Sequence, residues 1–202
     1  MGVVELKSLC VYCGSSAGTE PVYADAARKV GKLLAERNLR LVCGGGRVGL
    51  MGIVADAALN AGGTVIGVIP QALADREVAH TGLTELIVVP SMHERKARMA
   101  ELSDGFLALP GGFGTWEEFC EMVTWGQLHL HEKPCGLLNV AGFYDPLLLF
   151  FDHAAAAGFV RPEHRAMVLS GSDSQGLLSQ MQTYQPPTVL KWTDVKSPPS
   201  PQ

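Results

Sequence analysis

No apolar run in the 202 residues reaches the roughly 18 that a membrane-spanning helix needs, so an integral membrane protein is not expected. A basic stripe is missing as well. Lys and Arg number 16 against 20 Asp and Glu, for a net charge of −4, which argues against nucleic acid as the main partner. Met1 to Lys7 shows no basic segment followed by an apolar one, so no secretory signal is expected and the cytoplasm is the expected compartment. Cysteine is scarce and odd in number, five in all. Cys10 and Cys13 spell C-x-x-C, but in or at the end of a predicted strand, whereas redox pairs occupy a helix N-terminus. No second pair supplies zinc spacing, and His129 and His131, two apart on a predicted helix, point to different faces. The cysteines read as small buried hydrophobes, and no metal site is expected. The G-x-x-x-x-G-K-[ST] run of a P-loop and the G-x-S-x-G elbow of a hydrolase serine are both missing.

Glycine is plentiful, with 23 residues, and much of it stands where short apolar runs end. Predicted strands cover Leu6–Cys13, Leu39–Cys43, Thr64–Ile69, Leu86–Pro90, Phe106–Leu109, Gly136–Val140 and Met167–Leu169. Between and after them, helices are predicted over Pro21–Arg37 (with Thr19 as N-cap), Leu50–Asn60, Ser91–Ala100, Glu117–His131, Asp145–Ala157 and Ser174–Thr183, with a polar stretch at Gln71–Thr84. Near-continuous apolar strands alternating with helices predict an α/β fold: a Rossmann-like parallel sheet with helices on both faces, in a single domain over residues 1–184. Residues 185–202 form a tail rich in Pro and Ser without apolar periodicity, expected to be largely disordered.

Pro110-Gly111-Gly112-Phe113-Gly114-Thr115-Trp116-Glu117-Glu118 joins a predicted strand to a predicted helix. Unpaired backbone N–H groups and the positive end of the helix dipole make such a junction an anion site. The three glycines let a phosphate come close, and Thr115 offers a hydroxyl and a helix cap. Glu117 and Glu118 follow on the first turn. For Glu117 two readings stand, complement to the dipole or member of the site. Upstream, Ser91-Met92-His93-Glu94-Arg95-Lys96 sets two cations near a helix start, where the dipole disfavours them. An anion held between them and the glycine turn would offset that.

Gly44-x-Gly46-x-x-Gly49 matches the dinucleotide fingerprint in letters, but it follows the second strand. The next strand ends in Pro70 with no acid placed for a ribose hydroxyl. It reads as a phosphate or close-approach loop, or as a tight turn packing a small helix on the sheet. These residues by themselves indicate a nucleotide- or sugar-phosphate-binding α/β protein.

Taken in order, Gly44-Gly45-Gly46-Arg47-Val48-Gly49-Leu50-Met51-Gly52, Met92-His93-Glu94-Arg95-Lys96 and the run Pro110 to Glu118 resemble the Lonely Guy family over about Leu6 to Tyr184. Its members are cytokinin riboside 5′-monophosphate phosphoribohydrolases with the motif P-G-G-x-G-T-x-x-E. The resemblance implies hydrolysis of the N-glycosidic bond of an N6-modified adenosine monophosphate, with AMP often accepted, giving free base and ribose 5-phosphate. It implies Glu118 as catalytic carboxylate with Arg95 as its partner. Gly111, Gly112, Phe113, Gly114 and Thr115, with Gly45 and Gly46, would hold the 5′-phosphate. Glu77, Lys96 and Thr124 match further ligand positions, Glu117 is counted with the substrate-binding residues, and Met92 either packs on the base or fills core. Where the family more usually has a proline before Arg-Glu, this chain has Asp75-Arg76-Glu77. The resemblance also implies a homodimer and no cofactor or metal. The label "lysine decarboxylase" attached to members finds no pyridoxal-phosphate lysine here. Two alternatives are a nucleosidase acting on AMP without cytokinin preference, and a non-catalytic carrier of a nucleotide or molybdenum cofactor.

Overall fold

The computed structural model describes residues 5–76 and 78–189. Seven strands form one sheet: β1 (Ser8–Tyr12), β2 (Arg40–Cys43), β3 (Val65–Pro70), β4 (Glu85–Val89), β5 (Phe106–Ala108), β6 (Cys135–Leu138) and β7 (Val168–Gly171). All neighbours are parallel, in the order β4-β3-β2-β1-β5-β6-β7. The helices are α1 (Pro21–Glu36), α2 (Gly49–Asn60), α3 (Gln71–Ala74), α4 (Met92–Glu101), α5 (Phe113–Gln127), α6 (Asp145–Ala156), α7 (Pro162–Arg165) and α8 (Ser174–Gln182). This is the expected Rossmann-like α/β architecture.

Strand side chains alternate between two cores, as the pleat requires. Leu9, Val11, Leu41 and Cys43 pack with Leu34, Val54 and Leu178 of α1, α2 and α8. Cys10, Tyr12, Val42 and Phe106 pack on the opposite face with Met99, Phe119 and Met122 of α4 and α5. Both faces are therefore apolar, which is why the strands read as continuous hydrophobic runs. All five cysteines are free, four of them buried and Cys120 half-buried, matching their reading as small hydrophobes. Among the described residues no helix is long and apolar enough to cross a membrane.

Several boundaries differ from the sequence reading. α5 starts at Phe113, a turn before Glu117, and its N-cap is Gly112 without a side-chain bond, so Thr115 lies inside the helix and is not the cap. His129 and His131 fall beyond its end. Glu20, not Thr19, precedes α1. The polar stretch after β3 contains the short α3, and α7 was not anticipated. The predicted disorder at residues 190–202 lies outside the described residues. Residues 185–189 have neither helix nor strand.

From β1 the chain works outward to β4, then returns to lay β5 on the other side of β1. β1 and β5 therefore flank the point where the strand order reverses, and ligands of such sheets bind in the crevice beyond the carboxyl ends of those strands. At that end the amide of Gly14 donates to the carbonyl of Pro110 at 3.0 Å. At the opposite end Asp104 Oδ2 accepts from the amides of Lys7 and Ser8, each at 2.9 Å, and from the Ser8 hydroxyl at 2.8 Å. One surface is unusual: α6 reads DPLLLFFDHAAA, yet buries none of its residues.

Candidate active site

A cavity of about 700 Å³ opens at the carboxyl ends of β1, β2 and β5. The start of α5 forms one wall. Its N-terminal amides have no side-chain cap, and a β-carbon at Gly112 or Gly114 would meet nothing within 4 Å. An uncapped helix start with open space beside two of its glycines is the local arrangement the sequence predicts for this junction. Thr115 is buried with its hydroxyl turned onto Gly111. Phe113 stands 85% exposed at the mouth, edge-on to Trp116 at 5.2 Å between ring centroids.

The facing wall is α4. Ser91 caps it by accepting from the Glu94 amide at 3.2 Å, and its hydroxyl donates to Glu94 Oε1 at 3.1 Å. The reciprocal pair fixes where the helix begins, and so the direction in which the next turn faces. Arg95 and Lys96 are both buried. Arg95 Nη1 lies 3.5 Å from Glu118 Oε1 and 3.8 Å from Met92 Sδ. Its Nε is buried and makes no hydrogen bond among the described residues, leaving a donor unsatisfied at the cavity wall. Lys96 Nζ is held at 2.5 Å by Glu117 and at 3.1 Å by Glu121. The two cations near the start of α4 are thus met by carboxylates of α5.

Burial pushes the Glu118 carboxyl above its ordinary range. Arg95 and Lys96 oppose that rise, while Glu117 and Glu121 add to it. A carboxylate whose proton affinity is raised in this way is better suited to accept a proton than an exposed one. Burial alone would depress the Lys96 ammonium, but its bonds to Glu117 and Glu121 outweigh burial and hold it above the ordinary lysine range. Imine chemistry with pyridoxal phosphate needs the reverse, an amine that readily loses its proton.

The remaining wall is mostly apolar, with Met51, Ile69, Leu73 and Val78. It reaches the glycine loop after β2. Gly46 lines the cavity, and its amide contacts Met51 Sδ at 3.2 Å. Gly45 lies behind, its carbonyl accepting from the His80 amide at 2.9 Å. Of the residues expected at the site, Gly46, Met92, Arg95, Gly112, Phe113, Gly114, Thr115, Glu117 and Glu118 line this cavity, and Gly111 lines its smaller neighbour. Met92 is 44% exposed and so is not core filler. Thr124 sits on the exposed side of α5, its hydroxyl donating to the Cys120 carbonyl at 2.7 Å, outside the cavity lining of this chain. Glu77 lies outside the described residues. Glu121 was missed, although it falls four residues after Glu117, the spacing that stacks side chains on one helix face. Among the described residues no group of three or more His, Cys, Asp or Glu could hold a metal ion.

Residues 51–181 match the family described as "Possible lysine decarboxylase". A probable cytokinin riboside 5′-monophosphate phosphoribohydrolase of Oryza sativa subsp. japonica is 51% identical over 176 residues, covering 87% of this chain and 79% of the relative. A cytokinin riboside 5′-monophosphate phosphoribohydrolase of Arabidopsis thaliana is 48% identical over 182 residues, covering 90% and 85%. Among solved structures, the molybdenum cofactor carrier protein of Chlamydomonas reinhardtii superposes with a TM-score of 0.68 at 22% identity, over 89% of this chain and 98% of that one. That last likeness is one of fold. With near-half identity along most of its length, and the glycine turns, cations and carboxylates gathered at one crevice, the chain belongs to the Lonely Guy family, the family of the cytokinin riboside 5′-monophosphate phosphoribohydrolases.

Proposed function

We propose that this protein hydrolyses the N-glycosidic bond of cytokinin riboside 5′-monophosphates, and of AMP, to free base and ribose 5-phosphate. The observation that carries the reading is the buried Arg95–Glu118 pair, 3.5 Å apart, beside an uncapped helix N-terminus in one cavity. In this reading the 5′-phosphate sits on the amides of Gly111 to Thr115, with Gly45 and Gly46 across from it. The apolar wall of Met51, Ile69, Leu73 and Val78 suits the base and a hydrocarbon N6 substituent. Met92, Glu77, Lys96, Glu117 and Thr124 complete the proposed ligand set, Lys96 through the carboxylates it holds.

Breaking the C1′–N bond leaves its electron pair on the base and an oxocarbenium-like sugar. Glu118 stabilises that charge and takes a proton from the water that adds to C1′. A guanidinium is a poor proton donor, so Arg95 orients Glu118 and holds ligand oxygens. The departing base takes its proton from water or another group. No cofactor or metal enters the scheme.

The catalytic unit is placed within residues 1–184. Five free thiols fit a reducing compartment, the cytoplasm. A homodimer is proposed on α6, where Leu149 and Phe150 are 68% and 63% exposed. Two copies about a two-fold axis would each cover this surface of the other, and sedimentation should give twice the chain mass. The activity is tested by chromatography of products from AMP and from isopentenyladenosine monophosphate, with Glu118→Ala as control. Base released faster from the modified nucleotide, and not by the variant, is the expected result. Release from AMP alone would make the protein a nucleosidase. Nucleotide binding without release of base would overturn the hydrolytic reading.

A further inference from the structure

Glycine at position 44 is not required by the backbone. Its φ lies outside the left-handed region, unlike Gly45 at +73° and Gly49 at +60°, so any residue could adopt its conformation. It is required by space. A β-carbon at Gly44 would collide with Arg95 Nη2, and would stand 3.0 Å from Cζ and 3.1 Å from Met51 Sδ. The guanidinium therefore rests directly on the turn after β2. Few other contacts fix it: Nη1 has the 3.5 Å approach to Glu118 and a soft contact to Met92, and Nε has no partner among the described residues.

We propose that Gly44 is the seat of the Arg95 guanidinium, a positioning residue whose missing side chain sets where Arg95 stands against Glu118. The inference rests on the reading of Arg95 and Glu118 as the working pair. A methyl group at position 44 would push aside the far end of a flexible side chain, so the fold survives while the guanidinium moves. Glu118 would then lose a cation. The charged groups around it are Arg95 and Lys96 from α4 and Glu117 and Glu121 from its own helix, while the thiol of Cys10 and the hydroxyl of Tyr12 on β1, and the thiol of Cys13 just after it, are neutral. Lys96 is already engaged with Glu117 and Glu121 and is not free to replace Arg95.

The test compares wild type, Gly44→Ala, Arg95→Ala and the double variant. It uses hydrolysis of isopentenyladenosine monophosphate, carboxyl-carbon NMR titration of Glu118, and thermal melting. Gly44→Ala should fold and lose about 10- to 100-fold in kcat, as expected when a catalytic partner is misplaced by an ångström. Its Glu118 should titrate at higher pH than in wild type. In the Arg95→Ala background the same change should cost less than about twofold and leave the Glu118 titration where it was, since residues that act through one another are not additive. An equal loss in both backgrounds, or an unmoved Glu118 titration in Gly44→Ala, would overturn the proposal. Should Gly44→Ala fail to fold, a folded double variant supports the seat. A double variant that also fails, beside a folded Arg95→Ala, overturns it. If wild type releases no base, the proposed activity fails, while the titrations still decide the role of Gly44.

Discussion

Arg95 and Lys96 are neighbours on α4, and both face glutamates of α5, yet the two pairings are unlike. Lys96 is gripped by two carboxylates at 2.5 and 3.1 Å. Arg95 stands 3.5 Å from one carboxylate, with an Nε unpartnered among the described residues, at the cavity wall. In the first arrangement the charge is held between two carboxylates of the facing helix. The second is incomplete, with a donor open and a carboxylate whose burial resists ionisation. Neighbouring residues of one helix thus enter two different ion pairs, one that joins two helices and one that stands at the cavity wall.

The sharpest way to break this comparison is Glu118→Gln, which keeps shape and removes the proton acceptor. Hydrolysis should fall by about 10²- to 10⁴-fold with nucleotide binding retained, as read by product formation and calorimetry. Undiminished turnover would place the chemistry elsewhere. The companion change on the other side is Lys96→Met, which strips two carboxylates of their cation. Because Glu117 and Glu121 are partly exposed, the cost is put at about 2 kcal/mol, a fall in Tm of about 4–8 °C for a chain of this size. Turnover below the melting range should stay within about threefold of wild type. A loss like that of Glu118→Gln would instead mean that Lys96 meets the ligand directly and not only through the carboxylates it holds.

A smaller effect concerns pH. Glu118 acts as a carboxylate, so kcat should decline as pH falls through its pKa, and that limb should lie above the range of an exposed glutamate. A limb at the ordinary carboxylate position would contradict the burial argument. The smallest effect is on stability. Folding raises the Glu118 pKa, so its contribution is full below the unfolded pKa and is lost as pH rises through the folded one. Above that value the ionised group opposes folding. Glu118→Gln should therefore melt above wild type at pH 7, with the difference closing in acid.

Most of the fold was legible because both faces of the sheet are covered, and buried parallel strands announce themselves as apolar runs. The glycine turn was legible through residue type and order, and the pairing of Arg95 with Glu118 through the family resemblance. The start of α5 was not. Gly112, Gly114 and the aromatic residues Phe113 and Trp116 have poor helix propensity, and tertiary packing of Thr115 and Phe119 overrides it. The partners of Lys96 were hidden for another reason: they depend on how α4 and α5 pack, a relation between segments that no local pattern encodes. The exposure of the run Leu147 to Phe151 was not legible either, because five consecutive apolar residues carry no helical period, and the structure leaves them partly or largely exposed.

The reversal of strand order between β1 and β5 also bears on the order of folding. Arg95 belongs to the half of the chain that builds β1 to β4, and Glu118 to the half that begins with β5. They meet only when β5 docks on β1, a pairing of strands far apart in sequence, with Asp104 fastening one end of the seam and Gly14 and Pro110 the other. Contacts of such separation are slow to form. During refolding, recovered turnover would time the closing of that seam, since helix content can return while the two halves still lie apart.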